Sequence, residues 1–99
     1  MDSAVLKTAT LVAKEDISQL KFPKENVLTD KDSQKELKAK IDKGLKLGNA
    51  LKGKVKILFE DAEGMKTVET TIWGVTDTNI LLKKTTTIPI RRIYDVKFY

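Results

Sequence analysis

Ninety-nine residues, 40% hydrophobic and 33% charged, make one domain with a single shared core and a well-charged surface. Neither cysteine nor histidine is present, which excludes disulfides, thiolate chemistry, most zinc sites and most nucleophile–base pairs. The net charge of +5 is spread, with 11 lysines against 8 acids in residues 1–53 and 8 basic against 6 acidic residues in 54–99, so no basic arm stands out.

The first thirty residues read two ways. Val5, Ala9, Val12 and Ala13 suit a short amphipathic helix, while Thr8, Thr10 and Val12 suit a strand. No apolar run approaches the roughly 20 residues that cross a bilayer. Residues 1–16 have no basic start followed by an unbroken apolar stretch, so no signal peptide is expected and the cytoplasm is the expected location. Pro23 holds Phe22 extended, and KFPKENVLTD reads as an irregular connector pinned to the domain by Leu20, Phe22 and its other apolar residues.

A helix is predicted over 31–48. Thr29, Asp30, Asp32 and Ser33 are helix-start residues, and Ser33 with Glu36 fits a capping box. Leu37, Ile41, Leu45 and Gly48 recur every four residues with Gly44 beside them, which makes one apolar stripe. Lys31, Lys35, Lys38, Asp42 and Lys46 fall opposite, and Gly48-Asn49 reads as the stop.

From Lys54 onward, helix formers give way to Val, Ile, Thr and aromatics, and five strands are predicted. Residues 54–60 place Val55, Ile57 and Phe59 on one face, and DAEG turns the chain. Residues 65–76 form one long strand in which Gly74 marks a bulge or bend. The parity of Val68, Thr70 and Ile72 against Glu69, Thr71, Trp73 and Val75 leaves both faces open as the buried one. Strands at 79–84 and 85–90 follow, with Pro89 at an edge or strand end. Arg91-Arg92 turns the chain through a tight helical turn, and 93–99 closes the sheet. The expected fold is mainly β with an N-terminal helix: residues 1–30 packed irregularly on the domain, and residues 31–99 forming a helix that caps a small five-stranded closed barrel.

This order of parts resembles the Sm-like and SH3-like barrels over residues 31–98. WGVTDTNILLKK is similar to the first Sm motif, with Gly74, Asp77, Asn79, Ile80 and Leu82 in its places, and TTTIPIRRIYDVKF is similar to the closing strand pair. The second Sm motif has a glycine or basic-polar turn where Arg91-Arg92 stands here, and FEDAEGMK is longer and more acidic than the family's turn. RNA binding is therefore not carried over from the likeness alone, whereas ring assembly through strand edges is what it implies. FEDAEG, ETTIWGVT and IPIRRI also resemble an uncharacterised family of small bacterial proteins, which implies no activity.

Three sets of residues invite a chemical reading. Glu60, Asp61 and Glu63, with Asp77, are carboxylates at turns but lack the spacing of a calcium loop, so no metal site is expected. Gly44, Gly48 and Gly53 do not make a phosphate loop, and no cofactor is expected. Lys83, Lys84, Arg91 and Arg92 flank one hairpin, near Asn79 and with Lys97 as a further neighbour. Together with Tyr94, Tyr99 or an outward-facing Trp73 they offer phosphate contacts and base stacking. The same lysines and arginines equally serve to guard strand edges. The expected function is a non-enzymatic binding module contacting RNA through this basic hairpin. The alternative is a protein-interaction or self-assembling module, meeting an acidic protein or a second copy of itself.

Overall fold

The predicted helix forms in the computed structural model, which describes residues 9–83 and 86–98, and it runs three residues further than expected, Lys31–Leu51 (α1). Its cap is Asp30 rather than Ser33. Asp30 has extended backbone (φ −93°, ψ 148°), and its carboxylate accepts the Ser33 N–H at 2.9 Å. An aspartate outcompetes a serine here because its oxygen reaches the third N–H of the helix and favours the positive end of the helix dipole. Gly48 does not stop the helix. Lys52 does, in the left-handed conformation (φ 53°, ψ 34°), donating its N–H to the Gly48 carbonyl at 3.0 Å. Gly48 answers a different need: a Cβ there would lie 2.4 Å from the Ile72 carbonyl oxygen. The helix and the chain at 71–72 approach too closely for any side chain.

The predicted strands form at Val55–Asp61 (β2), Gly64–Thr70 (β3), Asn79–Lys83 (β5), Thr86–Pro89 (β6) and Ile93–Phe98 (β7). Two short strands accompany them, Thr10–Leu11 (β1) and, from the end of the predicted 65–76 strand, Gly74–Val75 (β4). They do not make one closed barrel. The strands divide into a four-stranded sheet, order β1-β3-β2-β7, and a three-stranded sheet, order β4-β5-β6. The segment predicted as one long strand is broken at 71–73. Its first part, β3, pairs with β2, and its second, β4, pairs with β5. At the break the β2–β3 ladder ends with the Val55–Thr70 pair, and Gly48 of α1 lies against the Ile72 carbonyl.

The core lies between the helix and the sheets. Leu37 and Ile41 of α1 meet Val55, Ile57, Phe59, Val68, Ile72, Ile80, Leu82, Ile88, Ile93 and Val96. The N-terminal segment joins this core. Its 3-10 turn Lys14–Gln19 buries Ile17, 1% exposed, and Phe22 stacks obliquely on Phe59 with ring centroids 6.0 Å apart. Residues 21–27 are held by backbone groups as well as by apolar contact. Lys21 O accepts from Ala62 N (2.8 Å), and Val27 N donates to Arg91 O (2.8 Å). Among the described residues no helix is long and apolar enough to cross a membrane.

The turn after β2 is tight. Asp61 Oδ1 accepts the N–H groups of Glu63 and Gly64 at 2.9 and 3.0 Å. Gly64 has φ 141°, which only glycine adopts without strain.

Candidate interaction cleft beside Trp73

The basic hairpin does not bring its residues together. Lys83 stands opposite Thr86 at one end of the β5–β6 ladder, while Asn79 stands opposite Pro89 at the other. Arg91 and Arg92 follow in the 3-10 turn Ile90–Arg92 beyond that far end. Thr86 and Ile90 are four residue steps apart, on the order of 13 Å at the usual strand rise. Lys84 lies outside the described residues, as does Tyr99.

Arg92 is committed to the fold. It is 5% exposed. Its Nε donates to Glu60 O (3.0 Å), its Nη1 to Glu25 O (2.8 Å) and its Nη2 to Glu60 Oε1 (2.9 Å). A guanidinium held by three acceptors on two separate segments is a clasp, and its charge is matched by Glu60. Arg91 is half-buried, and its Nε donates to Pro23 O at 3.1 Å. Asn79 closes its own turn: its N–H donates to Thr76 Oγ1 (3.0 Å) and its Nδ2 to Thr78 Oγ1 (2.9 Å). Tyr94 is half-buried, and burial holds its hydroxyl above the ordinary pKa. The Glu60 carboxylate adds to the rise and the Arg92 guanidinium opposes it.

The turn carboxylates are separated as well. Glu60 pairs with Arg92, whereas Asp61, with its side chain 1% exposed, pairs with Lys66 at 3.2 Å. Asp77 stands apart, at a smaller cleft of about 430 Å³ that Arg91, Lys38 and Thr78 also line. Among the described residues no three metal-ligating groups converge.

A larger cleft, about 690 Å³, opens between the end of α1, the end of β3 and the chain after β1. Trp73 lies on it with 58% of its surface exposed. The parity left open by the sequence is resolved here, since Val68, Thr70 and Ile72 are buried and Glu69 and Trp73 face out. Trp73 is held in place through its backbone, whose N–H donates to Leu81 O at 2.8 Å. Lys52 and Lys54 line the same cleft, and neither has a carboxylate within 4.0 Å among the described residues. Glu15 and Glu69 line it too, Glu69 lying 3.6 Å from Lys56. Lys52, Lys54 and the β3 edge escape a reading of the sequence, because the helix end meets β3 only in three dimensions. The available signal was a tryptophan sharing the phase of Glu69 and opposing that of Ile72.

Compared with known protein families, with curated proteins and with solved structures, the chain matches none.

Proposed function

We propose that this protein is a non-enzymatic protein-interaction module that receives its partner in the cleft beside Trp73. The observation that carries this reading is the indole itself. Tryptophan is strongly buried on average, and one left 58% exposed on the wall of a cleft offers a large, rigid apolar contact of the kind that dominates protein interfaces.

Charge favours a polypeptide over a nucleic acid. The cleft carries Lys52 and Lys54 but also Glu15 and Glu69, a mixed set rather than the basic track that phosphates require. The RNA reading rested on a cluster at the β5–β6 hairpin, and the ladder sets Lys83 and Arg91 at its two ends, with Arg92 buried.

Crosslinking in cells followed by mass spectrometry tests the reading. A partner protein is expected to be captured by the wild-type chain and by Lys83→Ala/Lys84→Ala, but not by Trp73→Ala. Recovery of RNA in place of protein, salt-sensitive, lost with the two lysines and indifferent to Trp73→Ala, is the result that sinks it.

A further inference from the structure

We infer that the partner enters the Trp73 cleft as an extended strand with acidic side chains, pairing its backbone with the open edge of β3 at Glu69. This rests on the interaction reading above and specifies how the same cleft is filled.

The argument begins with unpaired backbone. In a strand, successive N–H and C=O groups point to alternate sides. Thr67 turns its groups toward β1, since Val12 N donates to Thr67 O at 2.8 Å. Glu69, two residues on, presents its groups on that same side. The β1 pairing covers only Lys66 and Thr67. The next bond of the ladder would run from Glu69 N–H to the Val12 carbonyl, and it is not made. Glu69 has no backbone partner on this edge among the described residues.

The edge stays open because Ile17 draws the chain away. After Ala13, still extended at φ −78° and ψ 146°, the chain enters the 3-10 turn that buries Ile17 at 1% exposure. What remains beside β3 is the cleft, with Ala13 and Glu15 on its far wall. An open strand edge is a template for another strand, and addition of a peptide strand to such an edge is an established mode of recognition. Glu69 and Trp73 both line this cleft, so a strand paired with Glu69 lies in the same cleft as the indole.

Charge selects the occupant. Glu69 is already matched by Lys56 at 3.6 Å. Lys52 and Lys54 have no carboxylate within 4.0 Å among the described residues, which leaves positive charge against the single Glu15. An acidic strand therefore suits the cleft better than a basic one, with an apolar side chain on Trp73.

The test uses the whole chain and octapeptides of alternating valine and glutamate. Trp73 is the only tryptophan, so its emission reports on the cleft, and the amide resonance of Glu69 reports on the edge. The Val–Glu peptide is expected to shift both. A Val–Lys octapeptide is expected to bind at least about tenfold more weakly. N-methylation of alternate peptide amides is expected to weaken binding about tenfold or more in one phase and to spare it in the other, because only one phase donates to the edge. Equal tolerance of both methylated phases overturns strand pairing while leaving the Trp73 cleft as an interaction site. Equal binding of Val–Lys overturns the acidic partner. No shift from either peptide at millimolar concentration overturns the inference, and loss of the Trp73-dependent capture in cells overturns the reading beneath it. A shift in emission that follows protein concentration, with a matching doubling of mass in light scattering, assigns the edge to a second copy and likewise overturns it.

Discussion

Arg92 lies next to Arg91 in sequence and differs from it completely in role. Its guanidinium joins the Glu25 carbonyl, the Glu60 carbonyl and the Glu60 carboxylate, so one side chain ties the N-terminal connector to β2. Arg92→Ala leaves those acceptors without their donor and is expected to cost about 3 kcal/mol in chemical denaturation. Arg92→Lys is expected to recover little of this, because an ammonium cannot reach three acceptors in a fork. A loss under about 0.5 kcal/mol, the level of an ordinary surface substitution, contradicts the clasp. Tyr94, beside this pair, has its pKa raised chiefly by burial. The sign follows directly: a folded state that resists ionisation is favoured below the ordinary tyrosine value and loses that advantage as pH rises through the raised one. Stability is therefore expected to fall above about pH 10, and Tyr94→Phe is expected to flatten that fall in melts taken across the alkaline range. An identical alkaline decline in the variant assigns the effect elsewhere.

At the scale of the element, α1 depends on its two ends in different ways. The Asp30 cap works as a carboxylate. The Ser33 N–H that donates to it holds its pKa below the ordinary value, so the stabilisation is present above the usual aspartate range and disappears as pH falls through the lowered value. Asp30→Ala is expected to lower the melting temperature at neutral pH and to match the wild type in strong acid. An undiminished difference in acid removes the charge from the explanation. Gly48 is constrained by the Ile72 carbonyl, 2.4 Å from where its Cβ would be. Gly48→Ala gains helix propensity of up to about 1 kcal/mol, but overpacking against backbone costs about 1–3 kcal/mol. Net destabilisation is expected in urea unfolding, together with altered amide resonances at Thr71 and Ile72. A more stable variant shows that the helix lifts off without penalty.

At the scale of the whole molecule, the sequence discloses elements better than their partners. The α1 stripe of Leu37 and Ile41, the turn at 61–64, Pro89 at the end of β6 and the helical turn at Arg91–Arg92 are local patterns, and all are present. A closed barrel depends on which strands pair, and pairing is nonlocal. Gly74 signals a bend in the stretch from Val68 to Val75, but nothing in the residues announces that the strand stops at 71–73 and resumes in a second sheet. Arg92 misleads for the same reason: its acceptors lie 67 and 32 residues away. Of the candidate site, Trp73 was visible as a residue of uncertain face. The cleft around it was not, because its walls come from three distant stretches of chain.

Residues 21–27 belong to no sheet, yet Lys21, Pro23, Glu25 and Val27 each give a backbone group to a hydrogen bond with Ala62, Arg91 or Arg92. This is the period of two of a strand, supplied in part by arginine side chains. Trypsin cuts after lysine only where several consecutive backbone units are free to lie in its own active site. Lys21 and Lys24 are exposed, but the carbonyls of Lys21, Pro23 and Glu25 around them are held, so digestion there is expected to wait for global unfolding in the native chain and to become rapid once Arg92 is replaced by alanine.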